Sequence, residues 1–145
     1  MTPDLREVPF KRWHYEWLMA AHEKAEGGFG MVLSPPMLDV LEKANSWTGV
    51  VDGDPVACGG TLEQWPGRHL AWAYIARGTL RLLPWITRHS KDYVSRPKGR
   101  VEMTVRKGFG AGHRWARELG FEVETPLLRA YGPGGEDHTG YVRIN

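Results

Sequence analysis

Apolar positions along this chain change period several times, and each change marks an element. From Phe10 to Ala25 they recur at helical spacing, with Phe10, Trp13, Trp17 and Ala21 on one stripe and Lys11, Glu16, Glu23 and Lys24 off it. This predicts a first helix that ends at Gly27-Gly28. The following GGFGMVLSPP is too rich in glycine and proline to be helical, and Ser34 before two prolines starts a second helix over Met37 to Ala44, with Met37, Leu38 and Leu41 buried. Gln64 to Arg68 reads as a turn. Leu70 to Ala76, LAWAYIA, is an apolar run suited to a central strand covered on both faces. A third helix carries Leu82, Trp85 or Ile86, His89 and Tyr93 on its apolar stripe, and Arg96-Pro97-Lys98-Gly99 stops it. Two starts fit: Thr79 as N-cap, which puts Pro84 beyond the first turn, or Pro84 itself.

The period switches fastest between Arg100 and Glu124. Val101, Met103 and Val105 alternate with Glu102, Thr104 and Arg106 as in a strand, and then Phe109, Gly112, Ala116 and Leu119 recur as on a helix. Gly120 is placed for a left-handed cap, after which Phe121 turns back toward the sheet. Glu122 to Tyr131 and Thr139 to Ile144 read as a closing hairpin around GPGGED.

The segment RVEMTVRKGFGAGHRWARELGFEVE, with its Leu119-Gly120-Phe121 signature, resembles the closing half of the GNAT superfamily of acyl-CoA-dependent N-acetyltransferases. Upstream, Trp47 to Cys58 resembles that family's central antiparallel hairpin, with Asp52-Gly53-Asp54-Pro55 as its turn. Leu70 to Ala76 resembles the strand that pairs with the pantetheine arm of acetyl-CoA. The likeness is closer still to small GNAT-like proteins of short-tailed bacteriophages. It implies one α/β domain over residues 1–145: a mixed, mostly antiparallel sheet with one parallel, splayed strand pair, helices on both faces and a C-terminal hairpin.

Composition narrows the class. A chain of 145 residues, 41% hydrophobic and with seven tryptophans, is expected to form one domain with a real core. The lone Cys58 excludes an intrachain disulfide and points to a reducing compartment. No run approaches a membrane span, and the charged N-terminus does not read as a signal peptide. The net charge of +2 is unevenly spread: residues 1–76 hold six Lys/Arg against ten Asp/Glu, and residues 77–145 thirteen against seven. Residues 77–107 alone carry nine basic side chains, a zone suited to phosphates. Six histidines show no HExxH or clustered spacing, so no metal site is predicted; nor is there a nucleophile elbow for a serine triad.

The resemblance assigns coenzyme contacts to Tyr74, Ile75, Ala76, Arg77, Gly78, Thr79 and Arg81. In the family a glycine-rich loop here turns several backbone N–H groups toward a pyrophosphate at a helix N-terminus. This chain offers only Arg77-Gly78-Thr79, followed by bulky Leu80, Arg81, Leu82 and Leu83. The tyrosine that many members use as general acid is replaced by Ala116, and the neighbouring Trp115 cannot exchange protons usefully near neutral pH. Tyr74 is the candidate stand-in acid, against the alternative of a core tyrosine with a satisfied hydroxyl. Glu102 is the candidate base, with Glu63 behind it; Glu102, on a strand expected to lie under helices, should pair with Arg106 or Arg100, line a wet cleft or meet another subunit.

Three functions follow. The reading preferred from sequence is a phage protein with a degenerate acetyl-CoA site, acting as a virion structural or assembly component. Its partners would be other phage structural proteins, met in the host bacterial cytoplasm during assembly or in the virion, through exposed aromatics such as Trp65, Trp72 or Trp85. The first alternative is an active N-acetyltransferase, with acetyl-CoA between the strands of Tyr74 and Val105 and its carbonyl polarised by backbone N–H near Tyr74 to Ala76. The second is a nucleic-acid-binding module using residues 77–107 with Trp85 and Tyr93.

Overall fold

The computed structural model describes residues 2–21, 26–27 and 33–145. The strands are β1 (Leu5–Pro9), β2 (Glu26–Gly27), β3 (Asn45–Val51), β4 (Asp54–Trp65), β5 (Arg68–Ile75), β6 (Arg100–Arg106), β7 (Glu122–Leu128) and β8 (His138–Ile144). The helices are α1 (Arg12–Ala21), α2 (Pro35–Glu42), α3 (Leu83–Ser95) and α4 (Gly110–Glu118). One sheet runs β1-β3-β4-β5-β6-β8-β7, with β2 paired to β5 beside that path. Every pairing is antiparallel except β5 with β6.

Helices cover both faces because the strands are apolar on both. On one side α1 and α2 bury Phe10, Tyr15, Leu18, Leu38 and Leu41 against Cys58, Trp72 and Tyr74. On the other, α3 packs Ile86 and Tyr93 against Trp47 and Ala57, and α4 closes Ala116 and Leu119 over Val101, Val105 and Tyr141. Trp47 is the hub of the α3 layer: its ring stacks on Tyr93 at 6.0 Å and on His89 at 5.4 Å, and meets Trp85 edge-on at 6.0 Å. His14, on the buried face of α1, accepts at Nδ1 from the Lys11 backbone N–H at 2.9 Å, with Thr48 Oγ1 2.8 Å away. Desolvation lowers its pKa, so the ring is held neutral.

The turn between β3 and β4 is the expected one. Asp52 and Gly53 both take positive φ, 50° and 88°, as a tight hairpin turn of this twist requires. Other expectations are corrected. The buried stripe of α1 is His14, Tyr15 and Leu18, whereas Trp13 is 52% exposed; residues 22–25, predicted to extend that helix, lie outside the described residues. Residues 28–32 of GGFGMVLSPP do too. In α2, which starts two residues early at Pro35, Met37 faces solvent. Neither proposed start of α3 is right: Leu80–Leu82 form a 3-10 turn, the helix begins at Leu83, and Pro84 falls in the first turn where no N–H is required. The β7 strand stops at Leu128 rather than Tyr131. Strand β1 was not anticipated, since its polar LREVP pairs only at the sheet edge. Among the described residues no helix is long and apolar enough to cross a membrane.

Candidate functional site

Strands β5 and β6 pair in parallel over only Arg68↔Arg100, His69↔Val101 and Leu70↔Glu102. Beyond that they part, because β5 continues along β4 to Ile75 while β6 continues along β8 to Arg106. The result is a V, closed at Leu70 and Glu102 and open toward Ile75 and Arg106.

Two features of this chain lie near the V. The edge of β5 that faces it is paired again: Glu26 lies opposite Ile75 and Gly27 opposite Tyr74, in antiparallel register. Tyr74 and Ile75 therefore have a strand on each side, β4 and β2, and the Ala76 N–H donates to the Val56 carbonyl at 2.9 Å. From the helical side, half-buried Trp115 of α4 packs against both the α3 and the α4 core clusters. Its indole N–H donates to Thr87 Oγ1 at 2.8 Å, which ties α4 to α3.

The predicted coenzyme residues are contiguous at the end of β5. Gly78, with φ +83°, is the one glycine of the connection, and Thr79 turns its hydroxyl back to donate to the Ala76 carbonyl at 2.6 Å. Arg77, Gly78 and Arg81 are exposed. Leu82 caps α3 with no side-chain hydrogen bond, so the segment after β5 is a single turn followed by a 3-10 turn instead of an extended phosphate cradle. Tyr74 lies in the α1 core, 4% exposed, with its ring edge-on to Tyr15 at 5.1 Å. Ala116 is fully buried.

Glu102 is not brought to these residues. It faces Leu70 at the closed end, about 13 Å along β5 from Tyr74 at the usual strand rise. There it accepts from Arg68, with Nη2 at 3.1 Å, and from Arg100, whose Nε is 3.0 Å away; Arg100 continues to Glu124. These guanidinium bonds, Arg68 first, lower the Glu102 pKa against the opposing effect of its partial burial. Of the partners expected for Glu102, Arg100 is present, Arg106 instead lies over the Phe109 ring, and Arg68 was missed. Arg68 is a long-range neighbour that only the parallel register reveals. Glu63 is exposed near the end of β4.

The aromatics also redistribute. Trp65 is 57% exposed and lies under the Arg68 guanidinium, but Trp72 is 4% exposed, and Trp85 and Tyr93 pack on Trp47. Stacking platforms for bases are thus spent inside the core. Among the described residues no group of three or more His, Cys, Asp or Glu is gathered as a metal site.

No family model matches the chain, and no curated protein matches it. Solved structures do. Ard1 from Thermoplasma volcanium superposes with a TM-score of 0.69 at 13% identity, covering 97% of each chain. An acetyltransferase of the GNAT family from Streptococcus pneumoniae gives 0.64 at 12% identity, covering 98% of this chain and 100% of that one. The chain has the GNAT fold. The ribosomal-protein-S18-alanine N-acetyltransferase of Escherichia coli shares it as well, with a TM-score of 0.65 at 14% identity over 96% of this chain and 92% of that one. Identities this low carry the fold and leave the chemistry to the residues of the V.

Proposed function

We propose that this GNAT-fold chain has given up coenzyme catalysis and serves as a structural or assembly component of a short-tailed bacteriophage particle. One observation carries the first half: the β5 edge that would receive a pantetheine arm is paired by the chain's own Glu26–Gly27. Backbone N–H groups already committed to β4 and β2 cannot also polarise a thioester carbonyl, so the electrostatic contribution that acyl transfer relies on most is missing. The single-glycine turn at Gly78, buried Ala116 in place of an acid and Glu102 neutralised by two arginines all weigh the same way. A carboxylate with a lowered pKa is a poor base near neutral pH.

The second half rests on the sequence resemblance, and the surface is compatible with it. Trp13, Trp65 and Tyr131 are each more than half exposed, the kind of aromatic surface that protein partners cover. The test is mass spectrometry of gradient-purified particles of the phage that encodes the chain. The expected outcome is the chain at fixed stoichiometry in intact particles or in purified assembly intermediates; its absence from both would overturn the assignment. A working N-acetyltransferase is the opposing reading, favoured by the acetyltransferase fold, and requires acetyl-CoA to displace β2 from the V.

A further inference from the structure

Some cations on this molecule find acids: Arg6 meets Asp4, Arg12 meets Glu16, Arg96 meets Asp92 and Arg100 meets Glu124. At one corner two cations without an acidic partner, Lys107 and Arg117, come together. Between α4 and the β7–β8 hairpin lies a depression of about 220 Å³ lined by Lys107, His113, Arg117, Thr139 and Tyr141, with Val123 and Pro126 completing its wall. No carboxylate lines it.

Local structure accounts for this convergence. Gly112 and Ala116 are the α4 residues that press on the sheet, so His113 and Arg117, one turn apart, fall together on the flank over β8. Thr139 and Tyr141 are two apart on β8 and share a face. Lys107 enters from the turn after β6. The polar partners are then largely spent on one another. His113 Nε2 is 3.0 Å from the carbonyls of both Arg106 and Lys107, which can only accept, so this nitrogen carries the proton and Nδ1 accepts from the Tyr141 hydroxyl at 2.7 Å. Thr139 donates to the Pro126 carbonyl at 3.1 Å. Lys107 also gives one of its three N–H donors to that carbonyl, at 3.1 Å, which leaves two. Arg117, exposed, makes no ion pair among the described residues, and its five donors are available.

We propose that this depression binds a phosphate group, held by the Arg117 guanidinium fork and the remaining ammonium donors of Lys107. A tetrahedral oxyanion matches such donors, and Arg is the side chain that meets phosphate in a bidentate manner. The site lies on the flank of α4 away from Trp115, so it stands or falls independently of the coenzyme groove. The phosphate can come from a small ester or from a nucleic-acid backbone.

The test is calorimetric titration of the full chain at constant ionic strength with inorganic phosphate and, separately, with a short single-stranded oligonucleotide. Saturable binding is expected, weakened about tenfold by Arg117→Met and by Lys107→Met, a loss near 1.4 kcal/mol each. Arg88→Met, on exposed α3 surface, should leave it unchanged. Both pocket side chains face solvent, so the variants should retain the parental melting temperature. Binding of phosphate alone assigns the site to small esters, and Arg117-dependent binding of the oligonucleotide assigns it to a backbone. The proposal is overturned if neither probe saturates, or if Arg88→Met weakens binding as much as Arg117→Met does, which would mean diffuse attraction to a basic surface.

Discussion

At the residue scale the most consequential arrangement is Glu102 between Arg68 and Arg100. Its folded pKa is depressed below the ordinary 4.5, so the protons it binds at acid pH are bound preferentially by the unfolded chain. The stability it contributes is therefore complete above about pH 4.5 and is lost as pH falls through the lower, folded value. Glu102→Gln should cost about 1.5–3 kcal/mol at pH 7, the range for hydrogen bonds to a charged group, with salt screening favouring the low end. The gap from the parent should shrink steadily in thermal melts between pH 5 and pH 3. An equal gap at every pH would show that the carboxylate charge is not what matters. From the sequence, an expensive carboxylate on this strand was legible, with Arg100 as one of two candidate partners. Arg68 was not, because 34 residues separate it from Glu102 and only the parallel register joins them.

At the scale of elements, periodicity located the four helices and strands β5 to β8, the family resemblance located the β3–β4 hairpin, and the errors lie mainly at the ends. Two failures have clear physical causes. Strand β1 has no apolar signal because it occupies the sheet edge, and β2 has none because two residues are too few to leave a mark in side-chain periodicity. The stripe of α1 was set one residue off because tryptophan was weighed as buried, whereas Trp13 covers surface and His14 fills the core. The link between α3 and α4 was equally invisible: Trp115 was recognised as unable to act as an acid, but its partner Thr87 was not. Thr87→Val keeps the shape and removes the acceptor, leaving a half-buried indole N–H without a bond. The expected cost is about 1–2 kcal/mol, read as a shift in denaturant midpoint with an unchanged slope. A fully neutral substitution would mean that the two helices are not held together there.

For the whole molecule, the GNAT architecture and the modified V belong to different levels of the chain. The apolar pattern that builds the sheet is intact, with Trp47, Val101, Leu119 and Phe121 in the core, whereas the departures cluster where a coenzyme would lie. Ala116 and the glycine-poor turn at Gly78 could be read from sequence as missing parts. The self-pairing of β5 could not, since it joins Tyr74 and Ile75 to a segment almost fifty residues upstream. On the proposed reading, together they turn an edge suited to a ligand into one completed by the protein itself. Titration calorimetry of the full chain with acetyl-CoA tests this most directly. The account predicts no saturable heat up to about 1 mM ligand, an affinity weaker than roughly −4 kcal/mol; a dissociation constant in the micromolar range would contradict it and return the V to the service of catalysis.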